Sequence, residues 1–528
     1  MGTYTPTKQL ASTAAVRAKE WTLDDPLVRL EISGSIPDPI TYTEDNTTHT
    51  VTAGNSATTT SVGNGWIESG KTYLLLVTLR YQINDINDTI KIRMLERSTG
   101  SNVEMSGSML VHQRRASAPD ANHYMTYNYV TKFTASSSST NGPIAELEQA
   151  SGTADVTQGY AQMILFDLTN LKEGNDYFFE EDATDSENGT SAALKESCTL
   201  NLTADNKGAW LLGSSLQYKA GHSTCGSYNF STIISDQDGN VFNSEAILHD
   251  PRWPDEENVL NFMTVVNNDL SDSSWTINMY SSDENTAIGR GASQNITQHS
   301  KAWGIRLDRF VSTTFSSDIS ANTSTANDTK TTAIELTSVP VKYASPKFLV
   351  FQGGVANLPD TGTWRDKQRL LTDVQWKING GTYARFGDAD QYNISTMRWK
   401  GDTTLSADFD NNVGWYSFVP PPTLSSVSAG DTLSFKLELA KTDVTADEEE
   451  AVECTDMFLA VVELPTNTNR EADQLDQYSL KANHEELIVG PTTLQRCIDT
   501  RNKMLNVRGF RFPERWDTLW TIDTSEKL

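Results

Sequence analysis

Three stretches of this chain look like copies of one another, and their spacing limits what the chain can fold into. Lys71 to Tyr81 reads KTYLLLVTLRY, Lys207 to Tyr218 reads KGAWLLGSSLQY, and Pro346 onward reads PKFLVFQGGV. An aromatic anchor opens each stretch, and these anchors, Tyr73, Trp210 and Phe348, stand 137 and 138 residues apart. Each copy also closes on a hydrophobic strand, AQMILFDL (161–168), AWGIRLDRF (302–310) or MFLAVVEL (457–464). Asn46, Asn188 and Asn327 each lead an Asn-X-Thr triplet ahead of the opening strand. This regularity argues for tandem copies of one module, each long enough at roughly 100–150 residues to bury its own core.

The modules read as β structure. Thr, Ser, Asn, Asp, Tyr and Trp are abundant, a mixture that favours strands joined by polar turns. The expected organisation is an attachment arm over 1–40, β-sandwich modules over 41–170, 171–312 and 313–466, and a C-terminal helix with an aromatic tail over 467–528. In the first module IKIRMLE (90–96) and HYMTYNYVTKF (123–133) alternate at period two, with Tyr127, Tyr129 and Phe133 on one face. Half-buried antiparallel sheet is the expected outcome. In the second module, which follows the acidic stretch EGNDYFFEEDATDSENGT, residues 229–248 form a hairpin with Asp238-Gly239 at its turn, and WTINMY (275–280) alternates like a strand. The third carries VQWKI (374–378), STMRWKG (395–401), NVGWYSFV (412–419) and SAGDTLSFKLELA (428–440), while Pro420-Pro421-Pro422 must leave any central strand. The fold class is therefore all-β, three tandem antiparallel β-sandwich modules of jelly-roll type with short helical terminal segments.

The termini have a different character. LASTAAVRAKEW suits a short Ala-rich helix, and LVRLEISG (27–34) alternates like a strand until Pro37 and Pro39. After Pro491, Thr492 and Gln495 fit a capping box, with Leu494, Ile498, Met504 and Leu505 in the helix-like segment and Gly509 able to end it. Phe510, Phe512, Trp516 and Trp520 crowd the tail. The partner-binding candidates are thus Leu494, Ile498, Met504, Leu505, Phe510, Phe512, Trp516 and Trp520, and they would either seal the third module or meet another subunit.

Charge and motifs exclude more than they assign. A formal net charge of −27 opposes nucleic-acid binding, which needs Lys and Arg clusters to displace counterions. No apolar run approaches the ~18 residues of a membrane span, and the N-terminus has no signal-peptide apolar region, so synthesis in a host cytoplasm is expected. Cys198, Cys225, Cys454 and Cys497 form no CxxC pair, and Cys198 with Cys225 either pair within the second module or stay as buried thiols. Asp236, Asp238 and Asn240 alternate like a calcium loop but lack the Gly and Glu such a loop needs, which favours a plain hairpin. Asp388 and Asp390 read as a solvated turn over a calcium loop. No metal or cofactor is expected. There is no GxSxG, and the seven histidines, His49, His112, His123, His222, His249, His299 and His484, form no HExxH. Acidic runs such as Glu180-Glu181-Asp182 read as solvated loops rather than a glycosidase pair. Trp253, Trp364 and Trp415, near turns, are candidates for stacking on a sugar face, against the alternative that they belong to cores.

The order of an Asn/Thr-rich linker, a strand like GAWLLGSSLQY, a DG hairpin and a closing AWGIRLDRF resembles the β-sandwich modules of structural proteins in tailed-phage virions, over roughly residues 40–466. The third module lacks the DG, and its ending is also similar to trimeric jelly-roll heads of the complement and tumour-necrosis-factor type. The resemblance implies a non-enzymatic virion-surface protein, an appendage, decoration or tail or neck component, whose partners are other virion proteins and copies of itself. The alternative is a carbohydrate-binding adhesin that meets a host surface glycan through Trp253, Trp364 and Trp415.

Overall fold

The computed structural model describes residues 40–464, apart from a number of loops, the longest being 114–124, 284–294, 358–368 and 398–411, and the side chains of some strand residues. The expected terminal helices and all eight partner-binding candidates from Leu494 to Trp520 lie outside the described residues, as do Trp253 and Trp364.

The first repeat comprises β1 (Ile40–Asp45), β2 (His49–Val51), β3 (Ser56–Ser61), β4 (Thr72–Ile83), β5 (Thr89–Ser98), β6 (Ser101–Glu104), β7 (Leu110–Gln113), β8 (Met125–Thr134), β9 (Pro143–Ser151) and β10 (Val156–Asp167). These make two antiparallel sheets, ordered β1-β10-β4-β8 and β3-β9-β5-β7. Such a pair of four-stranded sheets is a jelly roll. The second repeat repeats the order with β11 (Tyr177–Asp182), β12 (Ser186–Glu187), β13 (Ala193–Asn201), β14 (Gly208–Ala220), β15 (Tyr228–Asp236), β16 (Val241–His249), β17 (Glu257–Asn268), β18 (Ser274–Asp283) and β19 (Asn295–Arg306), as β11-β19-β14-β17 and β13-β18-β15-β16. The third does so with β20 (Thr313–Asp318), β21 (Asn322–Ser324), β22 (Thr331–Pro340), β23 (Lys347–Asn357), β24 (Arg369–Ile378), β25 (Ala384–Arg385), β26 (Ile394–Met397), β27 (Asn412–Val419), β28 (Thr432–Thr442) and β29 (Val452–Leu464), as β20-β29-β23-β27 and β22-β28-β24-β25. Among the described residues there is no α-helix. The chain is all-β.

The aromatic anchors hold equivalent places. Tyr73 pairs with Asp167, Trp210 with Arg306 and Phe348 with Glu463, so each opening strand lies against the closing strand of its own repeat. In all three the closing strand is irregular near its start, where the pairing shifts between Gln158 and Ala161, between His299 and Thr297, and between Phe458 and Thr455. A bulge of this kind bends the strand. It separates the two short strands, β1 and β2, β11 and β12, β20 and β21, that share its outer edge.

Each jelly roll has its own core. Tyr73, Leu75, Val77, Leu79, Tyr127, Tyr129 and Leu147 fill the first, with Phe133 packed against it on the face expected for it. Trp210, Leu212, Ile234, Trp275 and Ile277 belong to the second, and Phe348, Val350, Phe435, Leu437 and Leu459 to the third. A fourth core joins them. Leu74, Leu76, Ile164 and Phe166 from the first repeat meet Leu211, Met263, Trp303 and Ile305 from the second and Leu349, Phe351, Phe458 and Ala460 from the third. The sheets that carry the anchors are therefore buried on both faces, and Leu74 to Leu79 are buried without a break. For the anchor sheets alone this corrects the expectation of half-buried sheet, which the outer sheets keep, with Lys91 and Arg93 on the open face of β5: a strand covered on both sides must be apolar continuously, which is what LLLV is.

Strand edges close the arrangement. β7 of the first jelly roll pairs with β17 of the second, Val111 opposite Glu257, merging two sheets into one of ten strands. In the same sense β16 of the second runs beside β27 of the third, and β26 of the third runs beside β8 of the first. Each repeat thus offers one edge to the next, head to tail, and the series closes after three. A head-to-tail interface that closes forms a ring and leaves no copy of itself free to propagate.

Candidate functional site: a polar lock between the first two jelly rolls

Where the first and second jelly rolls meet, the shared core changes from apolar to polar. The alternation that places Trp303 and Ile305 in the shared core places Lys301 on the same face of β19, and Lys301 is 1% exposed. A buried ammonium must be compensated. Its Nζ donates to the carbonyl oxygens of Ser106 (2.6 Å) and Val130 (3.2 Å) and to Thr131 Oγ1 (3.4 Å), all on the first jelly roll. It also lies 4.6 Å from the centre of the Tyr129 ring and 4.0 Å from Glu181 Oε1. Desolvation lowers the Lys301 pKa to about 8, with Glu181 opposing the shift.

Glu181 is the second member. It belongs to β11, directly opposite Lys301 in the register. Burial opposes its charge, but the hydrogen bond with His299, the Lys301 ammonium and the Ser106 hydroxyl together hold its carboxyl at about 2. Ser106 Oγ donates to Glu181 Oε1, and His299 Nδ1 lies 3.0 Å from Ser106 Oγ and 3.3 Å from Glu181 Oε1. The loop that presents Ser106 is fixed from inside the first jelly roll, where Tyr129 Oη donates to Ser106 O (2.6 Å) and Tyr127 Oη to Ser108 O (2.6 Å). Gly107 has a φ of +65°, and a Cβ there would lie 2.8 Å from the His299 Cβ. Glycine is required on both counts.

Ser, His and Glu in contact invite comparison with a nucleophile relay, which needs the acid on one imidazole nitrogen and the nucleophile on the other. Here both oxygens share Nδ1, and the serine hydroxyl is spent on the carboxylate. The geometry holds Ser106 in place and does not deprotonate it. Further polar contacts carry the lock along the seam: Gln217 Nε2 donates to Met109 O (2.9 Å), Asn261 Nδ2 donates to Asn128 O (2.7 Å), and Val259 of the second jelly roll is part of the first one's core. The lock is not repeated. The residue facing Ser215 is Lys301, whereas the equivalent residue is Gln162 opposite Thr78 in the first repeat and Phe458 opposite Gly353 in the third.

The acidic run Glu180-Glu181-Asp182 is therefore strand β11, not a solvated loop, because pairing with β19 gives its backbone a partner and the buried lysine gives Glu181 one. The sequence signal for this site was a lysine on the apolar face of AWGIRL. Of the glycan candidates, Trp415 occupies β27 opposite Gly354, and its side chain lies outside the described residues. Trp210, Trp275 and Trp303 are fully buried core residues. Of the calcium-loop candidates, Asp236 ends β15 and its Oδ1 accepts the Asp238 N–H (2.9 Å), capping the turn of the hairpin; Asn240, Asp388 and Asp390 lie outside the described residues. Cys454 is buried in the third core, and the side chain of Cys198 and the whole of Cys225 and Cys497 lie outside the described residues.

A second polar cluster covers the outer face of the third jelly roll. Asp373, 5% exposed, is engaged by Lys330, by Arg385 Nε at 3.0 Å and by Gln375 Nε2 at 3.1 Å. Tyr383 lies between the ammonium groups of Lys377 (4.1 Å) and Lys436 (4.4 Å) and donates to Glu335. On the corresponding face of the first jelly roll Arg93 meets Glu146 and Lys91 meets Glu148. These cations are committed to neighbouring carboxylates.

No family model matches the chain, and no curated protein matches it in sequence. Among solved structures it is similar to one described by the triple jelly roll fold and turret assembly in an archaeal virus, at 10% identity over 78% of this chain and 82% of that one, TM-score 0.16. It is also similar to a structure of infectious bursal disease virus, Gt strain, at 8% identity over 82% and 84%, TM-score 0.19. A third is the glycosylasparaginase PNGase F of Flavobacterium meningosepticum, at 10% identity over 55% and 97%, TM-score 0.26. Likeness at these TM-scores spans viral proteins and an enzyme alike, and no role is carried over from it.

Proposed function

We propose that this chain is a non-enzymatic structural component of a virus particle, an exposed appendage or decoration that attaches through residues 1–40 and 467–528 to other virion proteins and to copies of itself. The observation that carries the reading is the core shared by three jelly rolls, which makes residues 40–464 a stiff body. Its most chemically capable residues, Lys301, Glu181, His299 and Ser106, are used to hold two jelly rolls together. Among the described residues Val103, at 55%, is the one large hydrophobic side chain that stands exposed. On this reading the apolar residues that serve association are those of the C-terminal segment, from Leu494 to Trp520. The charge of −27 disfavours a genome-lining role and suits a surface in contact with solvent.

The test is the solution mass of the full chain beside chains lacking residues 1–40 or 467–528. A discrete oligomer from the full chain, lost in at least one truncation that keeps its sheet signal, is the expected result. Identical masses for all three would overturn the attachment role of the termini. Release of reducing sugar from polysaccharide by the purified chain would overturn the non-enzymatic reading.

A further inference from the structure

The three jelly rolls differ at one place inside their sandwiches. The equivalent positions on the opening strands are Val77, opposite Met163, Ser214, opposite Ala302, and Gln352, opposite Leu459. All three are buried completely. In the first jelly roll the valine joins the apolar core. In the second, Ser214 Oγ donates across the sandwich to Thr232 Oγ1 at 2.9 Å, so the polar pair is satisfied. In the third, neither Nε2 nor Oε1 of Gln352 has a hydrogen-bond partner, although the residue is 0% exposed. It points inward, since Phe348 and Val350, its neighbours at period two, are both core residues.

The facing sheet supplies a second such group. Thr372, 1% exposed, shares the inner face of β24 with Val374, and its Oγ1 is also without a partner. Three polar atoms are thus buried in one sandwich, on facing sheets, with no partner among the described residues. Leaving each unsatisfied costs about 1–3 kcal/mol. A carboxamide offers both a donor and an acceptor, and a hydroxyl offers either. The small species that meets both needs is water, which occupies buried polar sites with two to four partners as an integral part of a structure.

We infer that the third jelly roll encloses a buried water site, held by both ends of the Gln352 carboxamide and by the Thr372 hydroxyl. The site belongs to the third repeat alone, because the first has valine at the equivalent place and the second closes its serine directly on a threonine.

A high-resolution crystal structure of the full chain tests this. Ordered solvent within hydrogen-bond distance of the Gln352 carboxamide and of Thr372 Oγ1, absent in Gln352→Met, is the expected result. A dry sandwich, or a Gln352 carboxamide bonded to protein atoms, would overturn it. Thermal unfolding gives an independent reading, because methionine nearly conserves the volume of glutamine and creates little cavity. If water satisfies the carboxamide, Gln352→Met strands Thr372 and lowers Tm by about 2 °C or more; an unchanged or raised Tm means that the orphaned carboxamide was dry and overturns the inference.

Discussion

Gly213 stands opposite Trp303 in the register of β14 and β19, and a methyl group placed on it would come within 2.5 Å of the indole and 2.6 Å of the Phe262 carbonyl oxygen. The equivalent pairs are Leu76 with Ile164 and Phe351 with Ala460. Large faces small in two repeats, in opposite senses, and medium faces medium in the first. Three sheets can share one core this way because the combined volume of each pair is kept while its distribution differs.

Gly213→Ala is expected to destabilise the chain by about 2–3 kcal/mol, since one of the two clashing neighbours is backbone and cannot rotate away. Combining it with Trp303→Phe should recover part of the loss, although the carbonyl clash remains. Denaturant midpoints of the two variants and of Trp303→Phe alone check this; full additivity would mean that the two residues do not compete for the same space.

Because the shared core takes side chains from all three repeats, heat should unfold residues 40–464 in one transition. Ile305→Ala, in that core, is expected to cost about 2–5 kcal/mol and to shift the whole transition downward. Calorimetry checks the outcome. Three separable transitions, with only one moved by Ile305→Ala, would show that the jelly rolls are energetically independent.

The lock has a signature in pH. Lys301 has a folded pKa of about 8, depressed from 10.5, so its stabilising contribution is present above pH 10.5 and is lost as pH falls through 8. Glu181, depressed from 4.5 to about 2, contributes stability above pH 4.5 that is lost as pH falls towards 2. Relative to Lys301→Met, the native chain should therefore gain stability between about pH 8 and 10.5. Relative to Glu181→Gln it should lose about 2–3 kcal/mol between pH 4.5 and 2. Denaturation curves across both windows check the signs. At neutral pH Lys301→Met is expected to destabilise by about 2–3 kcal/mol, because it takes the ammonium from Glu181 and a donor from the carbonyls of Ser106 and Val130, of which Ser106 O keeps Tyr129 Oη.

Two charged pairs on the outer sheet faces should behave differently. Asp373 is nearly buried and has three partners, so Asp373→Ala strands Lys330 and Arg385 and is expected to cost roughly 2–4 kcal/mol. Lys91 meets Glu148 at 3.4 Å on a half-exposed face, and Lys91→Ala should cost less than about 1 kcal/mol and even less at high salt. Equal losses for the two, read as denaturant midpoints in low and high salt, would contradict this reading of burial.

The repeat itself was fixed by local chemistry. Period-two alternation in HYMTYNYVTKF placed Tyr127, Tyr129 and Phe133 on one face, Asp238-Gly239 marked the turn of the β15–β16 hairpin, and three evenly spaced aromatic anchors marked equivalent strands. These are short-range matters, decided by how neighbouring residues share a face or a turn. What the second face of each opening strand would meet is a long-range matter. Leu74, Leu211 and Leu349 look alike whether they face solvent, a partner or one another, and only the packing of three sheets against a common centre buries them. The same holds for the lock: Lys301 is one lysine among many in the sequence, and its role arises because residues 171 and 195 positions away, Val130 and Ser106, supply the oxygens that make a buried charge tolerable.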